Sequence, residues 1–182
     1  AIVARYVANA TYATSSASVD QVVSLNATTT TLTSSLNPSS VGDAVTFTAT
    51  VVSGGAPVAS GSVTFSVDGT PVGGAVPVSA AGEATLTTST LTAGSHTIEA
   101  SYTGLPTYGP SSDDLDQAVD LLVSSTTLTS SDNPSVFGDS VTFTATVSVN
   151  SAPVTAGSVT FSIDGTDVST VAVSGVGEAV IT

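Results

Sequence analysis

Hydrophobic and polar residues alternate in several segments of the chain, most clearly in Val45–Val51, which reads Val-Thr-Phe-Thr-Ala-Thr-Val. The odd positions are apolar and the even positions are threonine, the period of a strand with one buried and one solvated face. Val63–Val67 repeats this pattern, and Asp68-Gly69 follows it. Asp-Gly favours a two-residue hairpin turn because both residues tolerate positive φ angles. The pattern therefore predicts half-buried strands joined by tight turns.

Four further segments are predicted to be strands. They are Thr28–Ser35, Glu83–Thr88, His96–Tyr102 and a last strand near Gln117–Val123. In the third of these, His96, Ile98, Ala100 and Tyr102 fall on one face. We expect about seven strands in roughly a hundred residues, and no segment has helical periodicity. This spacing indicates an all-β sandwich.

One long segment occurs twice, and it defines a repeat. Residues 31–51 recur as residues 127–147, with differences at only four of 21 positions (36/132, 40/136, 41/137 and 44/140). The offset is 96 residues, long enough for a complete sandwich. Self-similarity at a fixed period is typical of tandem arrays, in which each repeat is one structural unit.

Both ends of the chain align with parts of this repeat. Residues 1–22 correspond to the last two strands of a preceding repeat, with Tyr6 at the position of Tyr102. Residues 23–120 form one complete repeat. Residues 121–182 begin a following repeat and stop before the counterparts of its last two strands. The link between the repeats contains no glycine or proline, which favours a stiff head-to-tail rod.

Composition excludes several classes of function. The chain has one Lys or Arg, 14 Asp or Glu and a net charge of −13. Nucleic-acid binding requires a basic surface and is not expected. Anionic membranes should repel the chain, and no apolar run approaches the ~18 residues of a membrane-spanning helix. There is no Cys, so disulfides and thiolate metal sites are excluded.

The repeated segment resembles a known family. Thr28–Val51, with its Asn37-Pro38 turn and Gly42-Asp43, is similar to the opening of the bacterial Ig-like repeat domains of large surface proteins and adhesins. Gly61–Phe65 and Ala100–Gly104 fit the same family. The resemblance implies tandem immunoglobulin-like β-sandwiches, an extracellular location on the bacterial cell surface and no enzyme activity. Fold alone does not fix function.

Acidic residues crowd the end of the complete repeat. Asp113, Asp114, Asp116 and Asp120 could supply oxygen ligands to Ca²⁺ at a junction between domains, and no other cofactor is expected. Only one of these acids, Asp116, has an acidic counterpart, Asp20, in residues 1–22. The alternative is a solvated acidic loop.

Other single residues have structural interpretations beside functional ones. His96 is the only histidine and is expected at the start of a strand, with no catalytic partner. Glu83 and Glu178 follow glycine at equivalent turns. They could be compared with glycosidase carboxylates, but each domain has only one. Tyr102 and Tyr6 either pin a loop through their hydroxyls, as in a tyrosine corner, or simply pack in a core.

The favoured hypothesis is a non-enzymatic structural repeat of an extracellular stalk or filament. If the chain is a natural subunit, residues 1–22 of one copy should complete the open sandwich of the next, head to tail. If it is an excerpt of a longer chain, its ends are arbitrary. The alternative function is an adhesin-type module whose loops bind carbohydrate or a protein, although aromatic clusters that stack on sugars are absent.

Overall fold

The computed structural model describes residues 1–182 and contains strands but no helix. None of its elements could cross a membrane as an apolar helix. Two compact units are present, Ala1–Val119 and Asp120–Thr182. The predicted division into residues 1–22, 23–120 and 121–182 stays a prediction.

The strands follow one another through short turns and loops. They are β1 (Ile2–Tyr6), β2 (Ser15–Val19), β3 (Thr29–Ser34), β4 (Ser39–Ser40), β5 (Val45–Ser53), β6 (Ala56–Pro57), β7 (Ser62–Val67), β8 (Thr70–Pro77), β9 (Glu83–Thr88), β10 (Gly94–Tyr102), β11 (Ser111–Asp120), β12 (Ser125–Ser130), β13 (Phe143–Val149), β14 (Ala152–Pro153), β15 (Ser158–Ile163), β16 (Thr166–Ala172) and β17 (Glu178–Ile181).

Strands β3–β11 form an immunoglobulin-like sandwich of two antiparallel sheets. In one sheet β5 pairs with β3, β6 and β9, and the other has the order β4-β11-β10-β7-β8. Seven of these strands have six residues or more, and β4 and β6 have two residues each. The all-β fold and the expected strand number are therefore confirmed.

The sandwich core follows the alternation seen in the sequence. Along β5 the side chains of Val45, Phe47, Ala49 and Val51 are at most 1% exposed, while the threonines between them are half-buried. Phe65 and Tyr102 from the second sheet are fully buried in the same cluster. Burying each of these large apolar side chains stabilises the fold by about 2 kcal/mol.

Two turns have the backbone that their residues predict. Asp68 and Gly69 have φ angles of 51° and 76°, the two positive values of a type I′ hairpin. Gly82 has a φ of +80°, and a Cβ there would lie 2.7 Å from the carbonyl oxygen of Val51. Only glycine fits that turn. Gly177 has the same surroundings in the second unit, with a Cβ 2.8 Å from Val147 O.

The predicted last strand near Gln117–Val123 is wrong in its position. The strand β11 begins at Ser111 and ends at Asp120, and residues 121–124 belong to no strand. The run of acidic residues favours a solvated loop in the sequence, whereas the structure has a strand there in which Ser111, Asp113 and Gln117 face inward. Those residues face inward because they hydrogen-bond to β3.

Residues 120–182 contain two smaller sheets. One joins β12, β13, β14 and β17, and the other is the β15–β16 hairpin. Ala145, Phe161 and Ala179 form the buried cluster of this unit, with Phe143 and Ile181 partly buried against it. Phe143 pairs with Ile181 across the strands as Phe47 pairs with Leu86 in the first unit.

Candidate functional site: the seam between the first and last strands

Side-chain hydrogen bonds join the first and last strands of the complete sandwich. The hydroxyl oxygens of Thr30 and Ser111 lie 2.7 Å apart, and the backbone N–H of Leu32 donates to Asp113 Oδ2 at 2.8 Å. Ser34 Oγ donates to Gln117 Oε1 at 2.6 Å. We call this row of contacts between residues 28–37 and 109–118 the seam.

The seam connects the two sheets along one side of the sandwich. β3 and β11 belong to different sheets, so no backbone ladder joins them over this length. Residues later in β3 contact residues later in β11, from Thr30 with Ser111 to Ser34 with Gln117. The two strands therefore run parallel. Just before the seam the backbone makes the connection directly, because Asn26 N donates to Thr107 O at 3.0 Å and Gly109 N donates to Asn26 O at 2.9 Å.

Asn37 closes the other end of the seam. Its Nδ2 donates to Asp116 O at 2.7 Å, and Ala118 N donates to its Oδ1 at 3.0 Å. The side-chain amide thus satisfies one donor and one acceptor of β11, as a neighbouring strand would. The predicted Asn37-Pro38 turn therefore binds the last strand of the domain as well as reversing the chain.

Gln117 is the seam residue that the sequence interpretation missed. Its side chain is fully buried, and the two N–H groups of Nε2 are shared among three acceptors, Leu36 O (2.9 Å), Ser39 Oγ (3.2 Å) and Ala118 O (3.0 Å). A buried amide is stable only when its donors and acceptor are satisfied, and here they are. The signal in the sequence was the recurrence of glutamine at positions 21 and 117.

The four aspartates predicted as Ca²⁺ ligands lie on both faces of β11. Asp113 faces inward to the seam, and Asp114, Asp116 and Asp120 are exposed. Alternate residues on one face of a strand are about 7 Å apart, and Asp116 Oδ1 accepts a bond from Thr97 Oγ1 at 3.1 Å. No group of three His, Cys, Asp or Glu side chains in the chain could hold a metal ion. The Ca²⁺ hypothesis stays a prediction, without a ligand cluster to support it.

His96 lies at a second polar site, beside the Asp68-Gly69 turn. Nδ1 is 2.8 Å from Asp68 Oδ2, and Nε2 is 2.9 Å from Thr92 O. Both partners are acceptors, so the imidazolium, with two N–H groups, satisfies both bonds. The bond to Asp68, and then the Thr92 carbonyl, raise the pKa of His96, while the bond from His96 lowers the pKa of Asp68. Thr92 Oγ1 also lies 3.3 Å from Nε2, so the contacts of His96 hold the Asp68-Gly69 turn against the start of β10.

Tyr102 both packs in the core and holds a loop through its hydroxyl, the two roles between which the sequence did not decide. Its ring is fully buried in the core, and its hydroxyl donates to Ser60 O at 3.3 Å, pinning the loop before β7. Burial raises the pKa of the Tyr102 hydroxyl. A Cβ on Gly61 would lie 2.7 Å from Tyr102 Cε2, so glycine makes room for the ring. Tyr6, its counterpart, is 43% exposed.

Glu83 and Glu178 lie at equivalent turns. Ser79 N donates to Glu83 O at 2.8 Å and Glu83 N donates to Ser79 Oγ at 3.2 Å. Ser174 and Glu178 make the same two bonds at 2.8 and 3.1 Å. The backbone of each glutamate holds its turn, and each of the two units contains one of these glutamates, whereas glycosidase chemistry uses a pair of carboxylates.

Comparison with known proteins agrees with this geometry. No curated protein and no solved structure matches the chain significantly. The family model described as bacterial Ig-like domain (group 3) matches residues 32–120, which begin in β3 and end with β11. Such domains commonly occur in surface proteins and are typically non-catalytic. The resemblance is therefore confirmed, and residues 32–120 form a bacterial Ig-like domain of group 3.

Proposed function

We propose that the chain is a non-catalytic structural segment of an extracellular bacterial surface stalk or filament. The single observation that carries this proposal is the seam. It ties the segment where the chain enters the complete sandwich to the strand from which the chain leaves it. A domain that transmits tension along a stalk is loaded at these two ends, which is where the seam lies.

The parallel course of β3 and β11 determines how tension acts on the seam. Tension pulls the chain before β3 in one direction and the chain after β11 in the other. The two strands then slide past each other, so the seam bonds share the load instead of opening one at a time. The seam bonds link residues up to 83 positions apart, and they protect nearly the whole domain from extension.

The proposal includes head-to-tail continuation of the repeat. Residues 127–147 repeat residues 31–51, and the turn at Gly177 repeats the hydrogen bonds of the turn at Gly82. We propose that Ig-like units follow one another in this way along a stalk or fibre. A net charge of −13 would keep such a fibre soluble by repulsion between neighbouring surfaces.

The extracellular location is tested on intact bacteria that express the protein. An antibody against this chain should label unpermeabilised cells, with an antibody against a cytoplasmic protein as the control for lysis. Labelling that requires permeabilisation would overturn the proposed location. Immunogold labelling on the same cells measures how far from the membrane the domain lies, and a stalk places it beyond the membrane surface.

A further inference from the structure

The Asp68-Gly69 turn has the sequence at which a polypeptide backbone rearranges most readily. Gly69 N attacks the side-chain carboxyl carbon, Cγ, of Asp68 and closes a succinimide ring, and one water leaves. Water then adds at the main-chain carbonyl carbon of the ring and produces isoaspartate, in which the backbone runs through the former side chain. Glycine favours the attack because it has no side chain to obstruct its nitrogen.

The fold leaves this turn open to solvent. Asp68 and Gly69 are both exposed, and the Asp68 side chain is 54% exposed. A Cβ on Gly69 would meet nothing within 4 Å. Neither burial nor crowding therefore shields the peptide between the two residues, and any protection comes from hydrogen bonds.

Strand β10 holds both oxygens of the Asp68 carboxylate. Thr97 N donates to Oδ1 at 2.9 Å, and His96 Nδ1 lies 2.8 Å from Oδ2. The main chain is tied to the same strand, because Asp68 N donates to Thr97 O at 2.9 Å. Ring closure requires the carboxyl group and the following peptide to rotate until Cγ meets Gly69 N. The bonds to β10 must break before that happens.

His96 is itself held in place, so it cannot follow a rotating carboxylate. Its side chain is 13% exposed, and Nε2 lies 2.9 Å from Thr92 O. Val72 and Leu91 line the same shallow groove as the imidazole. A donor fixed on two sides loses little further conformational entropy when it binds the carboxylate.

The charge of His96 acts in the same direction as its position. A neutral carboxylic acid loses water in this reaction far more readily than a carboxylate does. The bond from His96 lowers the pKa of Asp68 and so keeps the reactive neutral form scarce. Asp68 is the charged group that faces His96, since the opposite residue on β11 is the amide Gln117 and the rest of the groove is valine, leucine and threonine.

We propose that Asp68-Gly69 is a site of isoaspartate formation and that His96 is the positioning residue that suppresses it. Isoaspartate adds one carbon to the backbone of a two-residue turn, which the β7–β8 hairpin cannot absorb without shifting its register. β7 carries the buried side chains of Val63 and Phe65. The guard therefore preserves a core strand, and it adds a chemical lifetime to the proposed mechanical role without depending on it.

Ageing the full chain at about 37 °C and about pH 6 tests the proposal, because His96 is charged at that pH. The test variant is His96→Ala, and the matched control is Ser95→Ala, which alters the exposed neighbour on the other face of β10. Peptide mass spectrometry measures isoaspartate at residue 68, after digestion with an endoprotease that cuts before aspartate and not before isoaspartate. The Asp164-Gly165 turn, in the other unit, is an internal reference that neither substitution touches.

Relative to this reference, His96→Ala should form isoaspartate at residue 68 at least about tenfold faster than wild type, because a charge-assisted bond is lost. Ser95→Ala should differ from wild type by less than about twofold. At about pH 9 the difference between His96→Ala and wild type should shrink to less than about threefold, since His96 is then neutral in the wild type.

Equal rates for wild type and His96→Ala at about pH 6 would overturn the proposal. A difference of the same size at both pH values would overturn it too, because a merely loosened turn does not depend on the charge of His96. If His96→Ala does not fold, His96→Gln is the second variant, since its amide keeps a donor without the charge. It should exceed the wild-type rate at least about threefold at pH 6, and a rate equal to wild type there contradicts the role of the charge.

Discussion

Replacing Gln117 with alanine should destabilise the complete sandwich more than any other single change in the seam. The amide makes three hydrogen bonds to other segments, accepting from Ser34 Oγ and donating to Leu36 O and Ser39 Oγ. At about 1 kcal/mol each they contribute about 3 kcal/mol, and leaving buried partners unsatisfied adds about 1–2 kcal/mol. The free energy of unfolding should fall by about 3–5 kcal/mol, from the ~5–15 kcal/mol of a domain of this size.

Tyrosine fluorescence during urea unfolding measures this loss selectively. The chain has four Tyr and no Trp, and all four Tyr lie in residues 1–119. Because Tyr102 is buried, its emission changes when the complete sandwich unfolds, and residues 120–182 contribute no signal. The melting temperature followed the same way should fall by at least about 12 °C, at about 4–8 °C per kcal/mol for a domain of this length.

Gln21→Ala is the matched control, because Gln21 is the counterpart of Gln117 and its exposed amide bonds only to Val22 O. It should change the free energy of unfolding by less than about 0.5 kcal/mol. A loss below about 1 kcal/mol for Gln117→Ala, or equal losses for the two variants, would refute the reasoning that the buried amide holds the seam together.

Two further predictions concern the turns. The pKa of His96 is raised from 6.5 and that of Asp68 is lowered from 3.8. The ion pair therefore stabilises the folded state fully at pH values between 3.8 and 6.5. This stabilisation is lost as the pH rises through the folded-state pKa of His96. Chemical denaturation should therefore show lower stability at about pH 8 than at about pH 6, and His96→Gln should remove that difference; an equal pH dependence in the variant would contradict the ion pair. Gly82→Ala combines a positive φ with a Cβ 2.7 Å from Val51 O and should cost about 2 kcal/mol or more in the same melts. Gly74→Ala, which has open space and an ordinary φ, should cost less than about 0.5 kcal/mol, and equal effects would contradict the close approach at Gly82.

The elements with one apolar and one polar face were predictable from the sequence. β5, β7, β9 and β10 begin and end within two residues of their predicted bounds. The Asp68-Gly69 hairpin has the predicted turn because its backbone preference is local. In each case the information lies within a few neighbouring residues, and burial follows from simple alternation.

The seam was not predictable in the same way. Its bonds join residues about 80 positions apart, and no local pattern shows which polar side chain will meet which. Ser111, Asp113 and Gln117 face inward on β11, where the alternation rule expects apolar residues. The rule fails there because hydrogen bonds to β3 and to the turn before β4 replace apolar packing.

Asp113 also shows how a group of charges along a sequence can differ from a group in space. Asp113 was grouped with Asp114, Asp116 and Asp120 as a calcium ligand, because four carboxylates in eight residues suggest a common site. A strand sends adjacent side chains to opposite faces, and the Leu32 N–H binds Asp113 at 2.8 Å. Charge density in a sequence identifies a metal site only when the backbone brings the charges together.

Pulling on the complete sandwich tests the central claim, that the seam resists tension between the ends of the domain. Handles are attached at Val23→Cys and Leu121→Cys, since the chain has no other thiol. The seam encloses residues 28–118, so its rupture should release in one step about 330 Å of extended chain, at ~3.6 Å per residue, less the folded length.

The decisive comparison is between two neighbouring aspartates. Asp113→Ala removes the acceptor for Leu32 N and should lower the unfolding force, whereas Asp114→Ala removes the same charge from the exposed face of β11 and should leave the force unchanged. Equal forces for wild type and Asp113→Ala, or gradual extension without a single rupture, would contradict the account.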